Sequence, residues 1–299
     1  MNNIKEQFTI KDLECLSGIK AHTIRIWEKR YNLLEPNRTE TNIRYYDVSS
    51  LQKLLNISLL NSNGYKISKI AEMPEDKIPT IVRELISKKG VNHHSINSFK
   101  LAMLNFDQKL FDQTYNQLLT QKTFREIFLD IFVKLLGDIG VLWQTNSIIP
   151  AHEHFISNLI KQKIHLHIEK LQLQTPDKQD RVFVLFLPIN EIHELALLYI
   201  HLELLLHGYS SIYLGQSVPL DNLNALKQLH EKIVFVSFFT IYPVEEDIEE
   251  YLLDISNNVL RPNMDEFWVL GKRIGDFDGQ VNKEIIKKFN DIPSLINNL

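Results

Sequence analysis

The sequence predicts a multi-domain α and α/β protein: a winged helix-turn-helix head, a four-helix bundle and a doubly wound, Rossmann-like parallel sheet. Three observations predict it. Residues 1–75 hold short helix signals broken by turns around one polar, alternating stretch. Residues 96–175 contain few Gly or Pro and place apolar side chains at helical spacing. Beyond residue 180, short β-rich runs alternate with helical stretches, the pattern of a parallel sheet.

In the head, "TIKDLECLSG" reads as a helix that Thr9 caps and Gly18 stops, and "KAHTIRIWEKRYN" as a second helix after a tight turn. "LLEPNRTETNIRYYD", with Pro36 and alternating Ile43 and Tyr45, predicts a small β-wing. A third helix over "SSLQKLLNISLLNSNG" is capped by Asp47 or Ser49, and "KISKIAEM" gives a fourth. Residues 76–95, with mixed charge and a Gly-Val-Asn-His-His tail, are taken as a connector.

The bundle, 96–175, shows four apolar faces. Phe99, Met103 and Phe106 begin one; Phe111, Tyr115 and Leu118 a second; Phe128, Ile131, Phe132 and Leu135 a third; Ile156, Leu159, Ile160 and Ile164 the last. In the final domain, 180–299, the runs "RVFVLFLP", "SSIYLG", "KIVFVSFF" and "EFWVLG" read as strands. Ligands of such sheets bind beyond the strands' carboxyl ends, and His193 lies in the first such loop. By itself it is compatible with an inert surface residue, a ligand to a metal or cofactor, or a base.

Composition narrows the function. The net charge is −4, but residues 1–75 carry 11 Lys and Arg against 9 Asp and Glu, while the remainder carries 22 against 28. A mildly basic head on an acidic body fits an anionic partner for the head. Cys15 is the only cysteine, so an internal disulfide and a thiolate metal site are both excluded, which fits a reducing cytoplasm. "MNNIKEQFTI" lacks signal-peptide order and no apolar run reaches membrane-span length, so a soluble cytoplasmic protein without a membrane partner is expected. The sequence shows no Gly-rich phosphate loop, nucleophile elbow, paired carboxylates or zinc spacing of histidines, and an enzyme is not expected. His93 and His94 fall in the connector, His165 and His167 do not share a helix face, and His201 and His207 read as surface or groove residues.

The second head helix supplies Thr23, Arg25, Lys29 and Arg30 for DNA, and the wing Arg38 and Arg44 for phosphates with Tyr45 for packing or backbone contact. Thr23, Arg25, Trp27, Glu28, Leu34, Pro36, Arg38, Arg44 and Tyr46 stand in the order found in MerR-family transcription regulators, which this stretch resembles. Asn32 replaces a common glycine and is the next best residue for a left-handed backbone. Trp27 is assigned to the head's core. The resemblance implies a homodimer on a palindromic double-stranded DNA operator.

The bundle followed by a parallel sheet is similar to the cobalamin-binding module of methionine synthases, some mutases and the light-responsive MerR repressors of carotenoid genes. "EIHELA" matches that module's loop, which implies Glu191 beside His193, with His193 as lower ligand to cobalt and Ala196 where a glycine is usual. The resemblance further implies Ser237, Phe239 and Gly271 around the dimethylbenzimidazole tail, with Lys272 in place of a second glycine, and "LGQSVP" after the second strand. From Trp143, nine residues lead to Glu153 and His154, as in the light-responsive repressors, where such residues cover adenosylcobalamin's upper face. Gln144 stands where some of those sensors carry a second histidine. No independent metal site is expected. The resemblance implies a regulator, in the repressor mould, that assembles from dimer to tetramer with adenosylcobalamin and comes apart in light. An alternative stays open: the same fold with its cofactor slot closed, serving dimerisation or an antirepressor protein. A corrinoid-dependent transferase or mutase is disfavoured, because a DNA-reading head has no role there.

Overall fold

The computed structural model describes residues 7–39, 42–75, 77–78, 80–82, 91–144, 148–276, 282 and 284–299. The chain divides into two compact units, Met1–Ile160 and Lys161–Leu299.

The first unit opens with the head. Helix α1, Ile10–Ser17, starts in a capping box in which the Asp12 amide donates to Thr9 and the Thr9 amide donates to Asp12. It stops at Gly18, left-handed at φ 74°. Helix α2, Ala21–Tyr31, ends on Asn32 at φ 51°, the conformation expected of that residue. Strands β1, Asn37–Arg38, and β2, Arg44–Tyr45, pair antiparallel as the wing. Asp47 caps α3, Val48–Ser62, and α4, Ile67–Ala71, follows. Phe8, Leu13, Ile24, Trp27, Tyr46, Leu51 and Leu54 are buried, which puts Trp27 in the core as expected.

Four helices follow, as the apolar periodicity predicts. They are α5, Val91–Leu104; α6, Gln108–Leu119; a run formed by α7, Phe124–Ile127, a π-helical turn Phe128–Phe132 and α8, Val133–Gln144; and α9, Pro150–Gln172. Aromatic rings fill the centre: Phe99 lies 4.9 Å from Phe111, and Phe132 stacks on Phe111 at 6.1 Å. One boundary needs correction. The tail read as the end of a connector is helical from Val91, because small polar residues there pack as well as apolar ones: Ser95, Asn97 and Ser98 are all buried. The rest of the predicted connector lies partly outside the described residues.

The second unit is a five-stranded sheet. Strands β3, Lys178–Phe186; β4, Tyr209–Gly215; β5, Ile233–Phe238; β6, Glu266–Leu270; and β7, Ile286–Lys288 are all parallel, in the order β4-β3-β5-β6-β7. β3 begins slightly before the predicted boundary, its outer residues irregularly paired with β4. The helices between strands include α10, Leu195–Leu206; α11, Leu220–Leu223; α12, Ile248–Asp254; and α13, Lys272–Asp276, and α14, Ile292–Ile296, follows the last strand. Two cores cover the two sheet faces, one around Phe186, Phe235 and Phe267, the other around Phe183, Val236 and Trp268. Helix α10 is buried from Leu197 to Leu204 with no polar face, and its core position explains why His201, read as a surface or groove residue, is buried and hydrogen-bonded to Ser211 at 2.8 Å.

Candidate functional site

Two sites are built by these elements. In the head, Arg25, Lys29 and Arg30 are exposed on α2, with Thr23 half-buried in its first turn. A groove of about 390 Å³ is lined by Arg25, Ile26, Glu28, Lys29, Arg30 and Arg44. Arg44 is held 3.4 Å from Glu28, whose other oxygen accepts from the Tyr46 hydroxyl at 3.0 Å, so the wing is tied to the second helix through one carboxylate. Burial and that carboxylate push the Tyr46 hydroxyl's pKa up, so it stays a donor. Arg38 is exposed on the wing and donates to Asn42 at 2.7 Å, and Tyr45 is half-buried beside it. Two basic arms, helix and wing, thus share one structural knot.

The second site lies at the sheet's carboxyl edge. Strand order reverses between β3 and β5, so the loops after these strands diverge and open a crevice. Glu191, in the loop after β3, is fully buried there. One of its oxygens accepts from the Ile192 and His193 amides at 2.9 Å and from His193 Nδ1 at 2.6 Å. The other accepts from the amides of Thr240, Ile241 and Tyr242 after β5, at 3.1, 2.7 and 2.9 Å. Burial would raise this carboxyl, but the His193 ring and the backbone donors outweigh it and hold the pKa at about 2. An ionised Glu191 fixes the tautomer: Nδ1 carries the proton, and any metal ligation falls to Nε2.

The loop that carries the histidine is anchored at two further points. Glu194, next in sequence, takes Lys161 at 2.5 Å and the Tyr213 hydroxyl at 2.8 Å. These partners overcome the effect of burial and lower its pKa. The Asn190 amide donates to Ser217 in the loop after β4, so the β4 loop "LGQSVP" is stitched to the histidine loop. His193 is 46% exposed, and Ile189 and Ile192 on its own loop, with Ile241 and Tyr242 on the loop after β5, are exposed as well. Exposed large apolar residues on the two loops that Glu191 ties together mark this edge of the sheet as a candidate binding surface. Among the described residues no cluster of three or more His, Cys, Asp and Glu has the makings of a metal site.

Residues 8–77 match the MerR HTH family regulatory protein domain, and residues 95–166 match the B12 binding domain. The chain joins a MerR head to a B12-binding domain. It is similar to the HTH-type transcriptional repressor CarH of Myxococcus xanthus, at 26% identity over 70% of this chain and 70% of CarH. Similarity to the HTH-type transcriptional repressor CarA of the same organism is 25% over 79% of this chain and 78% of CarA. The Methanosarcina barkeri monomethylamine corrinoid protein superposes with a TM-score of 0.55 at 12% identity, covering 69% of this chain and 97% of that one. That likeness concerns the fold alone.

In the B12-binding domain, Glu153 stands in the first turn of α9, half-buried, and accepts from Ser157 at 2.8 Å; the neighbouring His154 is exposed. The backbone of Trp143 is helical at the end of α8, while its side chain and those of residues 144–147 lie outside the described residues. In the sheet, Ala196 is half-buried on the first turn of α10, and Ser237 and Phe239 are fully buried. Gly271 follows β6 at φ 112°. Sequence reasoning missed the amides of 240–242 and the pair Lys161–Glu194. The first had a visible signal, an apolar "TIYP" loop directly after a strand, while nothing in the sequence announced the second.

Proposed function

We propose that the protein is a transcription regulator whose MerR head binds double-stranded DNA and whose body answers to cobalamin, with adenosylcobalamin as the form sensed. It is a regulator and not an enzyme. The observation that carries the reading is the Glu191–His193 pair at the switch point, where the same carboxylate takes the amides of exposed Ile241 and Tyr242. His193 Nε2 would hold the cobalt and Glu191 would orient and polarise the imidazole, while Trp143, Glu153 and His154 keep the cofactor role that the sequence resemblance implies for them. When bound, adenosylcobalamin supplies a light-sensitive cobalt–carbon bond.

A ligand shifts a regulator only by binding one of its states more tightly. In this reading the dimer sits on a palindromic operator, the cofactor-loaded state assembles into a tetramer that represses, and light releases it. An antirepressor protein is a further partner of the same kind of body. Among the described residues no helix is long and apolar enough to cross a membrane, and we place the protein in the cytoplasm, where its DNA is.

The test is a visible spectrum of the chain purified in darkness with adenosylcobalamin, beside His193→Ala. The expected result is bound pigment in the parent with a ligand-exchange band that the variant lacks. A parent that emerges colourless sinks the reading, and leaves the alternative in which the body only dimerises.

A further inference from the structure

The three residues offered for the nucleotide tail are consumed by the protein's own packing. The Ser237 hydroxyl donates to the Phe186 carbonyl at 2.8 Å and has no exposure. Phe239 is equally buried, its ring edge-on to Tyr251 at 5.6 Å and tilted over Phe267 at 6.3 Å. Its amide donates to Leu270 at 2.8 Å and its carbonyl accepts from Arg273 at 3.3 Å. A Cβ built on Gly271 would lie 2.3 Å from the Phe239 carbonyl oxygen. The space that this glycine creates is therefore taken by the backbone of the β5 end, and a ligand group has no share in it. The Phe239 ring belongs to the same core as Ile248, Leu252, Ile255 and Ile274. The His193 loop and the loop after β5 that Glu191 ties to it, by contrast, carry exposed apolar residues, with Ile192 at 58% and Ile241 at 43%.

We infer that this domain recognises a corrinoid by its ring and its metal alone, through His193 and the apolar rim, and gives the nucleotide tail no lodging. Corrinoids that lack the tail are then ligands at least as good as cobalamin. The inference rests on His193 being a corrinoid ligand. The physical reason is a competition for one position. In cobalamin the tail's own base occupies the lower face of cobalt, so His193 has to displace it. A protein with a slot offsets that displacement by burying the freed tail. Here Ser237, Phe239 and Gly271 leave it in solvent, and the displacement goes uncompensated. A tail-less corrinoid has at most a water to displace.

The experiment titrates the full chain in darkness with adenosylcobinamide, which has no tail, and with adenosylcobalamin, reading visible absorbance, in parent, His193→Ala and Phe239→Leu. The upper group is the same in both probes, so the ratio of dissociation constants reports the tail. Adenosylcobinamide is expected to bind as tightly as adenosylcobalamin or up to about tenfold more tightly, with both weakened at least tenfold in His193→Ala. Phe239→Leu, by freeing volume, is expected to move the ratio toward adenosylcobalamin. A parent that prefers adenosylcobalamin by more than tenfold, with binding still dependent on His193, overturns the inference and spares the reading beneath it. If neither probe binds, the corrinoid reading itself fails, and the inference with it.

Discussion

Glu191 and His193 stand two residues apart in one loop, yet the carboxylate between them also gathers three amides from a loop some fifty residues on. A single side chain therefore sets the imidazole's tautomer and ties the loops after β3 and β5 together at the floor of the crevice. Glu191→Gln keeps the volume and removes the charge. Corrinoid affinity is expected to fall about 10–100-fold, the usual effect of losing the hydrogen-bond partner of a metal-bound histidine.

The same pair predicts a pH dependence. The Glu191 carboxyl sits at about 2 in the fold against 4.5 as its ordinary value, so its contribution is present above about pH 4.5 and is lost as pH falls toward 2. The full linkage is on the order of 3 kcal/mol. Urea midpoints at pH 7 should separate parent from Glu191→Gln by much of that, and the gap should narrow by pH 3. An unchanged gap would show that Glu191 matters only for shape.

His201 carries a second acid sensitivity, at higher pH. Burial in α10, helped by His165, brings it down to about 4 from 6.5. The unfolded chain then binds the proton first, so stability is full above about pH 6.5 and declines as pH falls to 4. His201→Gln should flatten the slope of stability between those values, measured by thermal melting across the range, and Ser211→Ala should leave the slope in place.

In the head, removing phosphate contacts and base contacts should be separable. Arg38→Ala is expected to weaken binding to all duplexes alike and to lower the salt slope by about 1. Arg25→Ala and Arg30→Ala, on the helix proposed to read base edges, should each cost about 1–3 kcal/mol on a duplex selected from a random pool and relax its sequence preference. A Glu28→Gln variant should affect binding through the wing, since Glu28 holds both Arg44 and Tyr46.

Lys100 joins the head to the helical domain within the first unit. It is buried, 2.7 Å from Asp138 on α8 and 3.4 Å from the Leu16 carbonyl in the last turn of α1. Lys100→Met leaves that carbonyl unpaired, a loss of about 1–3 kcal/mol. Faster hydrogen exchange is expected in α1 and α8, with the sheet unchanged; equal protection in parent and variant would mean that the lysine merely fills space.

Much of the fold was legible in the sequence because each local signal agreed with it. Thr9, Gly18 and Asn32 announced the ends of α1 and α2 by their caps and left-handed backbone, and each lies where that chemistry puts it. The change from a helical period to short β-branched runs separated the bundle from the sheet. His193 was legible as a loop residue at a strand end. The amides that complete its carboxylate partner's shell were not, because hydrogen bonding across loops so distant in sequence has no local signature. His201 was misjudged because a polar residue on a helix reads as exposed, whereas α10 has no exposed face in its middle turns. Ser237 and Phe239 were placed correctly at the end of β5, but only packing against Tyr251 and Phe267 decides whether a ligand reaches them.

The central claim is that the state of the cofactor controls the grip on DNA. The direct measurement is the dissociation constant for a duplex selected by the chain itself, taken without cofactor, with adenosylcobalamin in darkness, and with the same sample after illumination. At least a tenfold tightening in the dark loaded state, reversed by light, is the result expected. The same affinity in all three states, with the pigment demonstrably bound, would contradict it.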